Sequence, residues 1–239
     1  GLVAVDLDRG RGTAFVSSAA RPEAVRAVIL EASAYRFVTW HGRCALHAGT
    51  VVVGGRALVL RGAGGAGKST LCYAAARAGH AVLADEVTWW DAADGLLRGT
   101  PWSLRLEPEA AAIFPELGAL APAPRAQGAP KLDVDVAALG LAAIERAPAG
   151  PLVLLEAPAR RSAASRWRRI DPAEACRWFD RTAIPGEHAQ PPERLAAVVG
   201  ALQAHGAYAL EAGDPGGAVE ALEAIARDAG RGATLGRGA

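Results

Sequence analysis

One stretch, LRGAGGAGKSTL at residues 60–71, constrains the fold more than any other part of the sequence. It satisfies the pattern GxxxxGK[ST] with Gly62, Gly67, Lys68 and Ser69, and it lies between an apolar run and a segment with helical periodicity. Glycines allow such a loop to turn its backbone N–H groups inward, beside the positive end of the following helix. We therefore predict a strand, a phosphate-binding loop and a helix in succession.

The cation in this loop stands out against the composition. Of the 26 lysine and arginine residues only two are lysines, Lys68 and Lys131. An ammonium is compact and strongly hydrated whereas a guanidinium is a planar fork, so a lysine in this background indicates a site that needs an ammonium. We expect Lys68 to bridge the β- and γ-phosphates, Ser69 to reach Mg²⁺ and Thr70 to support the start of the helix. The predicted nucleotide-binding residues are Gly62, Ala63, Gly64, Gly65, Ala66, Gly67, Lys68, Ser69 and Thr70.

The strand that feeds the loop is predicted to belong to a hairpin. Two β-branched or apolar runs, 51–53 and 57–60, are joined by Gly54 and Gly55. A two-residue glycine connection is typical of a tight β-hairpin turn. The sheet is therefore expected to be mixed and partly antiparallel.

Two adjacent acids, Asp85 and Glu86, follow the next predicted strand, which comes directly after the helix 68–78. Ligands of α/β sheets bind at the carboxyl ends of the strands, so we expect these acids beside the phosphate loop. There one acid can hold Mg²⁺ while the other accepts a proton from an attacking hydroxyl. The alternative is that Glu86 is only a solvated neighbour of a metal-binding aspartate.

These features together carry a family resemblance. The segment LHAGTVVVGGRALVLRGAGGAGKSTLCYAAARAGHAVLADEVTWW, residues 46–90, resembles the catalytic core of the HPr kinase/phosphorylase family. It is more similar to the short HPr-kinase-related proteins without the separate N-terminal domain, among them kinases of lasso-peptide precursors. The likeness rests on His47, the hairpin 51–60, the loop 62–69 and the segment 77–86, and it is thin elsewhere.

The resemblance implies a P-loop, HPr-kinase-like (carboxykinase-like) α/β core, a mixed sheet flanked by helices. It implies that His47 lies near the transferred phosphoryl group, that Asp85 is the base and that Glu86 lies near the metal with Ser69. Lys68 completes the predicted catalytic set. Glu86 departs from the family pattern, which has aspartate there, and the added methylene could exchange the metal and base roles. The downstream signature segments of the bifunctional enzyme are not matched, so phosphorylase activity is not predicted.

Three regions are expected along the chain. Residues 1–45 form a strand and helix appendage packed on the core, residues 46–230 form the kinase domain, and residues 231–239 form a disordered tail. A full-size carboxykinase is disfavoured because the chain of 239 residues is short for that larger active site.

Further cations are candidates for the substrate side. Phosphoryl transfer needs charge neutralisation near the γ-phosphate, and Lys131 and Arg105 are possible substrate or phosphate contacts. Lys131 follows the Pro-, Ala- and Gly-rich stretch 118–130, which we interpret as a loop and a candidate lid. A solvated surface role is the alternative for either residue. A basic run, with no assigned role, consists of Arg160, Arg161, Arg166, Arg168 and Arg169.

The overall composition excludes several functional classes. The formal net charge is only +1, which argues against nucleic acid or an anionic membrane as a partner. The three cysteines show no CxxC spacing, so neither a disulfide framework nor a zinc site is predicted. Since the sequence shows no membrane-length apolar run and no signal-peptide pattern, a cytoplasmic location is expected.

The leading hypothesis is an ATP- and Mg²⁺-dependent kinase that phosphorylates a hydroxyl, with a serine of a peptide or small protein as acceptor. That acceptor could be the precursor of a ribosomal natural product. One alternative is a small-molecule kinase that acts on a sugar or an alcohol. Another is a regulatory protein that binds ATP without transferring phosphate. Family analogy alone suggests a homo-oligomer.

Overall fold

A computed structural model describes residues 2–126, 128–156, 164–184, 187 and 190–235 of the chain. The strands in these ranges are β1 (Leu2–Asp6), β2 (Arg11–Phe15), β3 (Cys44–Leu46), β4 (Gly49–Val53), β5 (Arg56–Arg61), β6 (Ala81–Ala84), β7 (Thr88–Asp91), β8 (Leu96–Arg98), β9 (Ser103–Leu106), β10 (Leu132–Asp135), β11 (Arg146–Leu155), β12 (Arg166–Ile170) and β13 (Ala207–Glu211).

Helices occupy most of the remaining described chain. Helix α1 begins as Pro22–Ala24, continues as a π-helical segment Val25–Glu31 and ends as Ala32–Trp40. Two 3₁₀ segments, Pro108–Ala112 and Pro115–Ala119, follow β9. The other helices are α2 (Lys68–Arg77), α3 (Pro172–Arg181), α4 (Pro192–Gln203) and α5 (Pro215–Leu235).

The long strand β11 organises the main sheet. Its first residues pair antiparallel with β8, its middle pairs parallel with β5, and its end pairs parallel with β13. Beyond β5 the order continues through β4 to β6, and beyond β8 it continues through β7 to β3. Strand β12 adds to β13, while β1–β2 and β9–β10 form separate two-stranded sheets. The prediction of a mixed, partly antiparallel sheet is confirmed.

The predicted hairpin before the phosphate loop is also confirmed. Strands β4 and β5 pair antiparallel, with Val53 opposite Arg56. Gly54 and Gly55 form the turn with φ values of 60° and 79°. Left-handed conformations at both central residues match the right-handed twist of the strands, and glycine adopts them without steric cost.

Alternate residues of the buried strands enter two hydrophobic cores, one on each face of the sheet. On β5, Leu58 and Leu60 belong to the core that also contains α2 and α5. Ala57 and Val59 belong to the core that contains α3 and α4. Because successive side chains of a strand point to opposite faces, this division shows that helices cover both sides of the sheet.

The two ends of the chain add further elements. The hairpin β1–β2 precedes α1, which is joined to helix α4 by a hydrogen bond from Arg194 to the carbonyl of Thr39. At the other end α5 continues to Leu235, so residues 231–235 of the predicted tail are helical, and residues 236–239 lie outside the described ranges. The division at residue 45 stays a prediction. Among the described residues, every helix is too short or too polar to cross a membrane.

Candidate active site

The loop between β5 and α2 has the backbone geometry of a phosphate cradle. Gly62 is packed so closely that a Cβ atom there would lie 3.0 Å from the Cβ of Ala66. Gly65 and Gly67 have φ values of 79° and 91°, and a Cβ on either would meet only open space. Helix α2 then begins at Lys68 with no side-chain cap in the described chain. Its first N–H groups are therefore available to an anion.

Lys68 folds back over this loop. Its side chain is largely buried, and Nζ donates to the carbonyls of Gly62 at 2.8 Å and of Ala63 at 3.2 Å. Burial lowers the pKa of Lys68, and the nearby charge of Arg61 lowers it further, while Asp85 acts in the opposite direction. The ammonium is thus held at the loop by neutral acceptors, and a phosphate oxygen there would be a stronger partner.

Asp85 lies beside the loop because of the strand order. Strands β5 and β6 are both antiparallel to β4, so their carboxyl ends share one edge of the sheet. The Asp85 side chain is buried, and its Oδ2 accepts the backbone N–H of Arg105 at 2.7 Å. Oδ1 is also buried but has no hydrogen-bond partner in the described chain. Burial raises the pKa of Asp85 to about 6, against weaker opposing effects of the Arg105 N–H and the nearby Ser69 hydroxyl.

Glu86, the next residue, has different surroundings. Its carboxylate accepts from Arg105 Nη1 at 2.9 Å and from Arg125 Nη2 at 3.2 Å. Arg105 also donates through Nη2 to Glu31 on α1 at 2.7 Å. The Glu86 side chain is 33% exposed, and it lines a cavity of about 710 Å³ that Asp85 does not line. The two adjacent acids therefore face two environments, one at the phosphate loop and one at an open cavity.

His47 follows β3 and is close enough to Lys68 to feel its charge. Burial lowers the pKa of His47, and Lys68 lowers it further, whereas the charges of Glu187 and Glu86 raise it. The net direction is down, so the imidazole is neutral at neutral pH. The backbone N–H of His47 donates to Glu187 Oε1 at 2.8 Å, which fixes the chain at this position.

A buried ion pair supports the whole arrangement. Arg61, the last residue of β5, donates from Nη1 and Nη2 to the two carboxylate oxygens of Glu187 at 2.6 and 3.0 Å. Its Nε donates to Thr182 Oγ1 at 2.8 Å, and Nη2 also donates to the carbonyl of Phe179 at 3.0 Å. Since Glu187 also accepts the N–H of His47, this pair joins the start of the phosphate loop to the histidine.

A second cavity, of about 490 Å³, adjoins the phosphate loop itself. It is lined by Gly65, Gly67 and Thr70 of the loop and α2, by the segment Pro108–Ala112 and by the start of α5. Apart from Glu107, Glu109 and Thr70, its side chains are apolar. Ligand sites commonly combine such an apolar wall with a few polar groups, and this volume is sufficient for a nucleotide base.

The residues present fit both ATP and Mg²⁺. Glycine conformations, an ammonium and the free N-terminus of α2 meet at the loop, as a triphosphate requires. The unpartnered Oδ1 of Asp85 beside Ser69 supplies oxygen donors of the kind that Mg²⁺ prefers. Among the described residues no group of three or more His, Cys, Asp or Glu forms a metal cage. A Mg²⁺ ion here would therefore also depend on phosphate oxygens.

The other predicted cations have mixed positions. Arg105 contacts both acids, and Lys131 lines the larger cavity with Nζ 3.1 Å from Glu107. Of the basic run, Arg160 and Arg161 lie outside the described residues. Arg166, Arg168 and Arg169 lie on β12, and none of the three lines either cavity.

Sequence reasoning missed three residues of this site. Arg61 could have been noticed, because a charged residue ends the apolar strand directly before the loop. Glu187 and Arg125 lie in stretches without periodicity or motif, and Glu187 is 126 residues from its partner Arg61. Only the folded chain brings them to the site.

No family model and no curated protein matches this chain. Among solved structures the chain is similar to the HPr(Ser) kinase/phosphatase from Coxiella burnetii, with a TM-score of 0.32 and 15% sequence identity. The match covers 53% of this chain and 77% of that one. A likeness of this size does not establish a common function.

Proposed function

We propose that this protein is an ATP- and Mg²⁺-dependent phosphotransferase that moves the γ-phosphate to a hydroxyl, with a serine of a peptide or small protein as acceptor. One observation carries the proposal. Asp85 keeps a buried, unpartnered carboxylate oxygen beside a glycine loop that holds Lys68, and the next residue, Glu86, opens to a cavity large enough for an acceptor.

The loop and Lys68 bind the phosphates. The N–H groups at the start of α2 and the ammonium of Lys68 both lie at this loop, where their positive charge would stabilise the negative charge of a transferring phosphoryl group. When bound, Mg²⁺ supplies further neutralisation of that charge. The neutral imidazole of His47 lies near Lys68 and can donate a hydrogen bond to a phosphoryl oxygen.

The proposal exchanges the roles that the sequence suggested for the two acids. Asp85 and Ser69 would hold the metal, because they lie together at the loop and away from the larger cavity. Glu86 would accept the proton of the acceptor hydroxyl, because its carboxylate lines that cavity. Arg105 contacts both acids, Asp85 through its backbone N–H and Glu86 through Nη1.

The test is mass spectrometry of candidate acceptors after incubation with ATP and Mg²⁺. The candidates are the peptides encoded beside the gene and a panel of small alcohols and sugars. Glu86→Gln should lower the transfer rate by about 10²–10⁴-fold and keep Mg²⁺–ATP binding. Asp85→Asn should weaken the Mg²⁺ dependence of nucleotide binding as well. Asp94→Asn, in the exposed turn between β7 and β8, is the matched control.

The outcomes separate the alternatives. Phosphorylation of a peptide serine supports the proposal, and phosphorylation of sugars or alcohols alone would identify a small-molecule kinase. Tight ATP binding without transfer to any candidate would contradict the proposal and favour a regulatory nucleotide-binding protein.

A further inference from the structure

The larger cavity is lined by segments from several parts of the chain. Helix α1 forms one wall, and β9, the loop after the 3₁₀ segment Pro115–Ala119 and the start of β10 form the others. Its volume of about 710 Å³ lies in the range of ligand sites, and it opens to solvent. Among the described residues, four basic and four acidic side chains line it, including Glu86, Arg105 and Arg125.

A continuous chain of ion pairs crosses this cavity. The contacts of 3.4, 3.0, 2.7, 2.9 and 3.2 Å run in order through Asp133, Arg26, Glu31, Arg105, Glu86 and Arg125. The chain links α1 to the acid that we assign as the base. Glu86 is held by two guanidinium groups, so its carboxylate is engaged before any acceptor arrives.

Arg125 is the last residue in this series of ion pairs, and its one ion-pair partner in the described chain is Glu86. It contacts Glu86 through Nη2 alone, and no other hydrogen bond of its side chain occurs in the described part of the protein. A guanidinium has five N–H donors arranged as a fork that suits a carboxylate or phosphate. The base of its loop is fixed by hydrogen bonds between the backbones of Ala123 and Lys131 at 2.7 and 3.1 Å. Arg125 therefore presents unused donors to the cavity from an anchored position.

We propose that this cavity is the acceptor cleft and that it selects acceptors with a carboxylate or other anionic group near the hydroxyl, which Arg125 binds in exchange for Glu86. This inference rests on the proposed function. Glu86 itself demonstrates that a carboxylate fits between Arg105 and Arg125. An anionic acceptor gives Arg125 a charged partner in place of that carboxylate, whereas a neutral acceptor leaves this guanidinium with water or a neutral group as its partner.

The exchange of partners at Arg125 also prepares Glu86 to accept the hydroxyl proton. When Arg125 binds the anionic group of the acceptor, the Glu86 oxygen that it had engaged, Oε1, becomes available to accept a hydrogen bond from the acceptor hydroxyl. The acceptor oxygen then forms a bond to the γ-phosphorus, its proton passes to Glu86, and ADP leaves with the electron pair of the broken P–O bond. Transfer is thus confined to a cleft that holds an acceptor.

Two matched pairs of probes test this inference. One pair is D-glycerate and glycerol, and the other is two capped tetrapeptides that differ only in glutamate or glutamine beside a serine. Each is titrated calorimetrically into the protein loaded with Mg²⁺ and a non-hydrolysable ATP analogue, and transfer from ATP is followed in parallel by mass spectrometry. We expect the anionic member of at least one pair to bind about tenfold or more tightly than its twin, or about 1.4 kcal/mol.

Substitutions test whether Arg125 causes the preference for the anionic probes. Arg125→Gln should abolish it, and Arg125→Lys should restore part of it, because a lysine keeps the charge but loses the fork. Arg177→Gln, at an exposed position of α3, should leave it unchanged. Equal binding of the twins, binding of no probe at millimolar concentration, or a preference that survives Arg125→Gln would overturn the inference. Preferential binding of the anionic probes without phosphate transfer would support the anion-selective cleft and contradict the proposed kinase activity. Phosphate transfer without a preference for the anionic probes would support the kinase activity and contradict the anion-selective cleft.

Discussion

Two arginine–carboxylate clusters flank the same site, and they differ in their access to water. The buried cluster consists of Arg61 and Glu187, whose side chains are 0% and 1% exposed. The cavity cluster consists of Arg105, Glu86 and Arg125, whose side chains are 17%, 33% and 29% exposed. Each cluster contacts one part of the proposed active site, the first at the phosphate loop and the second at the acid pair.

The difference in exposure corresponds to a difference in function. In the buried cluster Glu187 accepts hydrogen bonds from Arg61, from the N–H of His47 and from the N–H of Ile184. Breaking such a pair leaves an uncompensated charge without water, so the cluster fixes positions. In the cavity cluster water or a ligand can replace a lost partner, so partners can exchange. Under the proposed function, the buried cluster would hold the phosphate loop in place for the nucleotide. The cavity cluster would exchange its partners when an acceptor binds.

The largest effect should come from removing the two carboxylates in turn. Glu187→Ala leaves Arg61 buried and unpaired, and we expect it to lower the free energy of unfolding by about 3–5 kcal/mol. Glu86→Ala should cost less than about 1 kcal/mol, because its arginines remain accessible to water. Urea denaturation of both variants and the wild type measures the two costs.

A protein too unstable to purify would leave the first value unmeasured, so Glu187→Gln serves as the milder variant with the same shape. Its cost should still exceed that of Glu86→Gln. Equal costs for the two glutamine variants would show that burial does not distinguish the clusters.

The pH dependence of stability tests the buried cluster. Burial acts to raise the pKa of Glu187, but the hydrogen bonds and charge of Arg61 outweigh it, so the pKa lies below its ordinary value of 4.5. The stability that the ionised carboxylate contributes is therefore present above about pH 4.5 and is lost as the pH falls through the folded-state pKa. The difference in unfolding free energy between wild type and Glu187→Gln should shrink over that window. A difference that is constant down to low pH would contradict this assignment.

The two clusters also mark where sequence reasoning succeeds and fails. The loop, the hairpin turn at Gly54 and Gly55 and the acids after β6 were predictable, because their signals lie within a few residues of one another. The partner of Arg61 was not, since nothing local relates positions 61 and 187. The split environments of Asp85 and Glu86 were equally hidden, because they depend on Arg105, which arrives on a later strand.

The salt dependence of the two stability costs should differ by a smaller amount. The Debye length falls from about 10 Å at 0.1 M to about 3 Å at 1 M ionic strength, and exposed charges are screened far more than buried ones. The stability cost of Glu86→Gln should therefore fall toward zero in high salt, a change of less than about 1 kcal/mol. The cost of Glu187→Gln should change little over the same range. Denaturation series at several sodium chloride concentrations provide the measurement, and parallel salt dependence of the two costs would argue against the distinction.

The smallest predicted effect is a change in the pKa of His47, which both clusters influence. The charges of Glu187 and Glu86 both raise the pKa of His47, with Glu187 the stronger influence. Replacing either by glutamine should lower the pKa of His47 further below its ordinary value, and Glu187→Gln should lower it more. NMR titration of the histidine ring protons measures both shifts. His205, whose pKa is lowered by burial and by Arg56, is an internal control that should not respond. A larger shift in Glu86→Gln than in Glu187→Gln would mean that His47 is governed by the cavity cluster, and its ring would then report acceptor binding rather than the fixed geometry of the loop.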